Sequence, residues 1–456
     1  MTAFDFVIIG AGPAGEAAAF KARSLGASVA IADARWFGGS CPHIGCLPSK
    51  ALLHAAAAHV AGRDYPWSRA SAHRDWMVNR AADATDPDDA SHVVRLEEAG
   101  AVVYRGRARI VERGRVEVAH DGATHPLEAR HVVLAVGSRS RVPPIEGLAA
   151  TDPWTNREAT LARELPRSLL VLGGGPTGCE LAQVYARFGV PVVIVQSGPR
   201  LAPTDHPRNS EMLRGTLEHD GVLVRTGVRA VRAHAGARAD GAHVMDLDDG
   251  STAAGHAILL AVGRDLPVAD LGLEHYGLDA GARDAGLPRD GRLRLADGLY
   301  VAGDPAGPEL HTHQAHYQGE LVVRLALGAD VTPDYRALPR ATYTEPEAAS
   351  VGLTLDEALA AGVDAVEFTA DFARSTKGFA SEATLGHVTV TFDRATRELV
   401  GAAMACPDAS AAIHECVLAI RAHVPVEVLA DTIHAFPSTS RILNGLFAEA
   451  AAALAP

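Results

Sequence analysis

The stretch Phe4–Gly26, FDFVIIGAGPAGEAAAFKARSLG, decides how the rest of the chain is read. An apolar run of strand type passes into a glycine turn and then into an alanine-rich helical segment. The turn has the spacing G-x-G-x-x-G at Gly10, Gly12 and Gly15. In such a turn the first glycine permits the tight bend. The second lets the backbone approach a pyrophosphate, and the third lets helix and strand pack closely. The helix start then faces the phosphates. The next strand-like run, ASVAIAD, ends in Asp33, where a carboxylate can accept hydrogen bonds from a ribose diol.

The pattern recurs in Arg167–Gly189, RSLLVLGGGPTGCELAQVYARFG, with Gly173, Gly175 and Gly178, followed by the strand-like VPVVIVQ. One such turn is weak evidence. Two copies, each in strand–turn–helix–strand context, imply that the chain binds two dinucleotides. At the position equivalent to Asp33 stands Gln196. An acid there favours a free 2′-hydroxyl and an arginine favours a 2′-phosphate. Gln196 and Ser197 do neither, and Arg200 reads equally well as a solvated cation, so NADH and NADPH stay open.

The 456 residues imply two to four domains. A content of 48% hydrophobic and 21% charged residues is that of a soluble globular protein. The net charge of -13 argues against nucleic acid or an anionic membrane as main partner. No run approaches the ~20 apolar residues of a membrane span. The start, MTAFDFVIIG, reads as a strand and not as a signal peptide. Five cysteines are too few and too odd for a secreted disulfide framework, so a cytoplasmic setting is expected.

Two of these cysteines, Cys41 and Cys46, lie in Gly38–Lys50, GGSCPHIGCLPSK. A zinc site needs four ligands in short-spaced pairs, and only His43 is at hand. A static staple closing so short a loop adds little and is unusual in the cytosol. Only Lys21, Lys50 and Lys377 are lysines among the 42 basic residues, so Lys50 stands out beside the pair.

With the two glycine turns, the run GGSCPHIGCLPSK resembles the flavoprotein disulfide reductases. These are the pyridine nucleotide-disulfide oxidoreductases, which include lipoamide dehydrogenase, glutathione reductase and mercuric reductase. Further matches are VVLAVGS with Gly137, AVGRDLPVADLGLE with Gly263, LYVAGD with Gly303 and Asp304, and TYTEPEAASVGLT. The resemblance covers nearly the whole chain. It implies an α/β fold: two Rossmann-like dinucleotide-binding domains plus an α+β C-terminal dimerisation domain. An FAD domain would span 1–150 and 265–335, an NAD(P) domain 151–264, and an interface domain 336–456. The stretch 60–105 shows no motif and reads as a solvated helical hairpin.

The resemblance implies FAD and NAD(P)H as cofactors, a homodimer, and a redox-active Cys41–Cys46 disulfide against the flavin, beside Gly39 and Ser40. Cys46 would be the thiolate facing the flavin. Cys41 would attack substrate, its pKa lowered by a nearby cation or helix start. Lys50 would pair with Glu180 near the flavin, and Asp304 would meet the ribityl chain. Pro176 stands where many members carry an aromatic gate, so nicotinamide access is expected to be less gated. Cys179, Cys406 and Cys416 read as inert packing, and His311, His313 and His316 as lining a flavin-domain helix.

The pattern breaks near the C-terminus. The family usually reads H-x-H-P-T-x-x-E, whose second histidine protonates the leaving thiolate while the glutamate orients it. Here the run is HAFPSTSR, with Phe436 at the acid's position and Arg441 at the glutamate's. Three readings follow. His434 could serve instead, sharing a face with Phe436 on an extended segment. The substrate could be a disulfide of a low-pKa, for example heteroaromatic, thiol that leaves unaided. The acceptor could be a quinone or a metal ion. Mercuric reductase-like proteins replace the histidine with an aromatic residue but usually add a C-terminal cysteine pair. The tail NGLFAEAAAALAP lacks that pair, and no metal-binding segment precedes the first glycine turn, which argues against mercury. The expectation is an NAD(P)H-dependent reductase of a small disulfide. Its rivals are a quinone or metal-ion reductase, with dispensable cysteines, and a flavin-bearing carrier subunit with little turnover of its own.

Overall fold

Phe6, Val7 and Ile8 are fully buried, which explains the unbroken apolar run: a strand inside a parallel sheet is covered on both faces. Each such side chain contributes about 1.5–3 kcal/mol relative to exposure. The computed structural model describes residues 2–80, 87–279 and 286–455. It comprises two units, the first formed by Met1–Ala51, Ser71–Arg141 and Gly263–Pro333.

The first unit is built on an eight-stranded sheet. Its parallel part runs Leu299–Val301, Ala123–Leu134, Thr2–Ile9, Val29–Asp33, Val102–Arg105. The helices Pro13–Ser24 and Thr312–Ala326 cross at backbone contact. A Cβ on Gly319 would fall 2.2 Å from the Ala14 carbonyl oxygen, so only glycine fits there. This crossing sets the start of Thr312–Ala326 in place.

The reading of 60–105 as a solvated hairpin needs correction. Helices Trp67–Asn79 and Ala90–Glu98 are present, but Val102–Arg105 is a strand of the sheet. Arg74 is fully buried, with Nε 2.8 Å from Asp75 Oδ1, and ion pairing is what lets such a charge lie inside. The loop expected between the helices falls partly on 81–86, outside the described residues.

The second unit comprises Leu52–Ala70, Val142–Val262 and Asp334–Pro456. A four-stranded parallel sheet runs in the order Leu223–Thr226, Val192–Gln196, Leu169–Leu172, Ala257–Leu260. A five-stranded antiparallel sheet follows from Pro339–Thr342 to Leu399–Cys406. The helices Ala409–Ala422 and Thr439–Ala453 bury Ile413, Cys416, Leu443 and Phe447 against it. From the helix Pro207–His219, Asn209 donates to the Ala349 carbonyl at 3.1 Å and lies 2.8 Å from His387 Nε2. Among the described residues no helix is long and apolar enough to cross a membrane.

Candidate active site

Both glycine turns have the geometry a pyrophosphate needs. Gly10 has φ +102° and Gly173 φ +104°, and a Cβ on either would fall 2.3 Å from a carbonyl oxygen. A Cβ on Gly15 would lie 1.9 Å from the Gly10 oxygen, and one on Gly178 would lie 2.1 Å from the Gly173 oxygen. Around Gly12 and Gly175 there is open room instead: a Cβ on Gly12 would meet only Gly39 Cα, at 3.8 Å, and one on Gly175 nothing within 4 Å. The helices Pro13–Ser24 and Pro176–Arg187 begin at these turns, each with proline in its first turn. The residues therefore fit two dinucleotides.

Asp33 accepts from the Ala11 and Arg35 N–H groups at 2.8 and 2.7 Å. Burial pushes its carboxyl up, against the pull of these two donors. In the second turn Gln196 Oε1 accepts from Gly174 N–H at 2.9 Å, which commits the oxygen. Ser197 is exposed. Arg200 is committed too: it donates to the Asp205 carbonyl (2.6 Å), Ser210 Oγ (2.7 Å) and the Pro203 carbonyl (2.7 Å). Of the neighbouring cations, Arg225 binds Asp249, Ser251 and the Thr252 carbonyl, and Arg214 pairs with Glu218.

In the first unit, Gly137 (φ +62°) precedes Ser138, whose hydroxyl donates to Asp304. Arg264 Nε donates to Ser138 Oγ and lies 3.8 Å from Asp304 Oδ2. Gly263 (φ +117°) and Gly303 (φ +78°) turn the chain on either side of this group.

The cysteine loop packs directly on the first glycine turn. Gly38 N–H donates to the Ala11 carbonyl at 2.8 Å, and a Cβ on Gly39 would lie 2.7 Å from Gly12 Cα. Ser40 opens the short helix Ser40–Ile44, which carries Cys41, and Cys46 opens the helix Cys46–Val60. The loop is held from outside by residues that carried no sequence signal. Asp89 accepts from Phe37 N–H at 2.9 Å and pairs with Arg105 at 2.5 Å. Burial works to raise the Asp89 carboxyl, but Arg105 and the Phe37 N–H outweigh it and hold it low. Glu16 binds His92 at 2.8 Å, and the His92 ring lies where a Cβ on Gly38 would be, 2.5 Å away. These partners are far apart in sequence, so spacing rules could not find them.

Cys41 and Cys46 are free thiols that hydrogen-bond to each other. Thr312, first residue of the helix Thr312–Ala326, places Oγ1 3.6 Å from Cys46 Sγ and also hydrogen-bonds Cys41. The hydrogen bond with Cys46, then burial, pushes the Cys41 thiol far above its ordinary range. The expected lowering is thus corrected: the first thiolate of the pair suppresses the second. Cys46, at the start of a 15-residue helix, is favourably placed to carry the charge. Lys50, one turn on, donates to Ser49 Oγ at 3.4 Å. Glu180, in the second unit, is 5% exposed and accepts from Tyr343 N–H at 2.9 Å.

In the C-terminal segment His434 and Phe436 do not share a face. The His434 side chain is 5% exposed, with Nε2 2.5 Å from Glu415 Oε1 and Nδ1 2.8 Å from the Thr432 carbonyl. Phe436 is 70% exposed. Arg441 donates to Asn444, in a helix capped by Ser438. His311 Nε2 lies 2.8 Å from Glu309, and its ring stacks on His313. Among the described residues no group of three or more His, Cys, Asp and Glu side chains could hold a metal ion.

Known proteins match this arrangement along almost the entire chain. Residues 4–319 match the family model described as pyridine nucleotide-disulphide oxidoreductase, and residues 338–446 match its dimerisation domain. A dihydrolipoyl dehydrogenase of Thermus scotoductus is 33% identical, over 100% of this chain and 98% of its own. A mercuric reductase of Streptomyces lividans is 33% identical over 97% and 95%. Among solved structures, the Cu(II) complex of the HOCl-induced flavoprotein disulfide reductase RclA from Escherichia coli superposes with a TM-score of 0.87. It is 25% identical and covers 98% of this chain and 100% of its own. LpdA from Mycobacterium tuberculosis gives 0.87 at 27% identity, over 98% and 99%. With family models matched over residues 4–319 and 338–446, the chain belongs to the pyridine nucleotide-disulphide oxidoreductases, enzymes that use FAD and NAD(P)H.

Proposed function

We propose that this enzyme uses NADH to reduce a small disulfide of a low-pKa thiol through Cys41 and Cys46. The observation that carries the reading is the cysteine pair packed on the first glycine turn, with Cys46 at a helix start, in a chain whose C-terminal segment offers no proton donor in the usual place. When bound, FAD supplies the two-electron link between nicotinamide and cysteines. Every other step falls to the chain. The Cys41 thiolate, formed as its proton passes to Cys46 or solvent, attacks one substrate sulfur. A Cys41–substrate disulfide forms and one thiolate leaves. Cys46 gives any proton it took to the departed thiolate or to solvent, and as a thiolate attacks Cys41 sulfur, releases the second thiolate and closes the Cys41–Cys46 disulfide. A low-pKa thiol leaves without an acid. His434 offers none, because both its ring nitrogens are engaged.

The choice of NADH rests on the second glycine turn. With Gln196 Oε1 and Arg200 both committed, a 2′-phosphate would meet no uncommitted guanidinium from Arg200, Arg214 or Arg225. The Gln196 amide nitrogen can donate to a free ribose hydroxyl. The division into FAD, NAD(P) and interface domains, the pairing of Lys50 with Glu180, and assembly as a homodimer belong to the same proposal.

Anaerobic titration with NADH, and separately NADPH, tests this reading. The expected result is a long-wavelength thiolate–flavin band that is lost in Cys46→Ser, with NADH the better donor. Bleaching of the flavin without that band would overturn it. A second reading, reduction of a metal ion, is favoured by the likeness to the RclA Cu(II) complex and to a mercuric reductase. Quinone reduction would likewise keep its turnover in Cys41→Ser, whereas disulfide turnover would vanish.

A further inference from the structure

We infer that His43 is a positioning residue of the cysteine loop, one that holds the loop on the first glycine turn only while its imidazole is neutral. The role does not depend on which acceptor the enzyme reduces. It rests on one part of the reading above, the seating of FAD at the first glycine turn. His43 stands between the two cysteines, yet the exchange steps make no use of it. Cys41 and His43 are two positions apart on the short helix Ser40–Ile44, so their side chains point different ways. The imidazole is 1% exposed and puts Nε2 2.8 Å from the Phe37 carbonyl oxygen. A carbonyl only accepts, so Nε2 carries the hydrogen. The Phe37 backbone is thereby gripped on both sides, its N–H by Asp89 and its oxygen by His43. The next two residues, Gly38 and Gly39, are those that meet Ala11 and Gly12. His43 thus closes the loop against the turn whose room at Gly12 suits a pyrophosphate.

The second ring nitrogen is the reason neutrality matters. Nδ1 is buried and has no hydrogen-bond partner among the described residues. A proton there would be a buried donor with nothing to accept it, on a charge removed from water. The groups around the ring offer no spare anion. From the helix Pro13–Ser24 comes Glu16, 2.8 Å from His92 and 3.8 Å from Arg95. The helix Ala90–Glu98 supplies that Arg95 and His92, whose ring lies edge-on to His43 with centroids 5.5 Å apart. Asp89, just before this helix, pairs with Arg105 of the strand Val102–Arg105. Trp36, in the loop itself, lies 5.9 Å away. Burial holds the His43 pKa below the ordinary histidine value, against the pull of the Phe37 carbonyl, Asp89 and Glu16.

The test uses the oxidised holoenzyme, so that neither Cys41 nor Cys46 takes up a proton in the pH range. Release of FAD after dilution is followed by the fluorescence of the free flavin, at pH 7.5 and at pH 5.5. An opened loop takes up the proton near the ordinary value of about 6.5 and the closed loop only lower, so acid favours opening. Release from the unmodified enzyme is expected to quicken by up to about tenfold between these pH values. His43→Gln keeps a donor near the place of Nε2 and takes up no proton. It should match the unmodified enzyme at pH 7.5 and show no acid limb. His43→Leu loses the donor and should release FAD about fivefold faster at pH 7.5. An acid rise that His43→Gln shares, or no rise in the unmodified enzyme, overturns the role. Gly12→Val, whose side chain would fill the room left for the pyrophosphate, tests the seat of FAD by itself. A Gly12→Val enzyme that keeps its flavin would sink that assignment, whatever His43 does.

Discussion

In the proposed mechanism Cys41 and Cys46 share one proton in the reduced enzyme, and that sharing would set the kind of substrate they serve. A nucleophile whose thiol is pushed up attacks well once deprotonated, but it gains nothing if the leaving group is equally basic. A dipyridyl disulfide should therefore be reduced faster than a dialkyl disulfide by about a hundredfold or more, as judged by kcat/KM, because its thiol leaves as a stabilised anion. Equal rates would show that an acid is supplied after all. At the nicotinamide turn, Gln196→Glu keeps an oxygen for the Gly174 N–H and adds a charge. The variant should bind 2′-phospho-ADP-ribose about tenfold more weakly, with ADP-ribose binding held or improved, measured by calorimetry. The glycines, Cys41, Cys46, Lys50 and Gln196 were legible from spacing because the turn chemistry is local. Thr312, Asp89, Glu16 and His92 were not, because each acts on a residue distant in sequence.

At the scale of elements, each helix start that faces a dinucleotide depends on a glycine pressed against its own strand. Gly178→Ala would set a methyl 2.1 Å from the Gly173 oxygen. The expected outcome is a loss of about 1–3 kcal/mol in denaturant unfolding together with weakened ADP-ribose binding. A second element carries a pH dependence. His387, on the strand His387–Asp393, is 6% exposed and held between Asn209 and Thr389. Burial, with His206 and Arg208 nearby, pushes its pKa down to about 3. The unfolded chain takes up the proton first, near the ordinary value of about 6.5, so stability is full above that pH and falls as pH drops toward about 3. Between pH 7 and pH 4 this single group should cost about 3 kcal/mol, seen as an acid limb that flattens in His387→Gln. An unaltered limb would show that His387 is charged in the fold. The buried Arg74 escaped the sequence reading, and the short strand Val102–Arg105 reads together with the charged segment before it. A polar, charged stretch looks solvated until a partner such as Asp75 is seen to neutralise it.

For the whole molecule, the dimerisation domain matched over residues 338–446 leads to an expected solution mass of twice the chain, measurable by light scattering. A mass equal to that of one chain would overturn the homodimer reading. What the sequence by itself determined was the fold class and the two dinucleotide turns. It also determined the cysteine loop and the break at Phe436 and Arg441. Each of these is written in residues a few positions apart, where chain geometry converts spacing directly into structure. Only the tertiary structure brought the Thr312 hydroxyl, from a remote helix start, within 3.6 Å of Cys46 Sγ. It alone showed that His434 is occupied by Glu415 and the Thr432 carbonyl, and that Arg200 is spent on its own loop. Side-chain hydrogen bonds are fixed by packing in three dimensions, and no period or motif in one dimension encodes which of several donors will find the acceptor first.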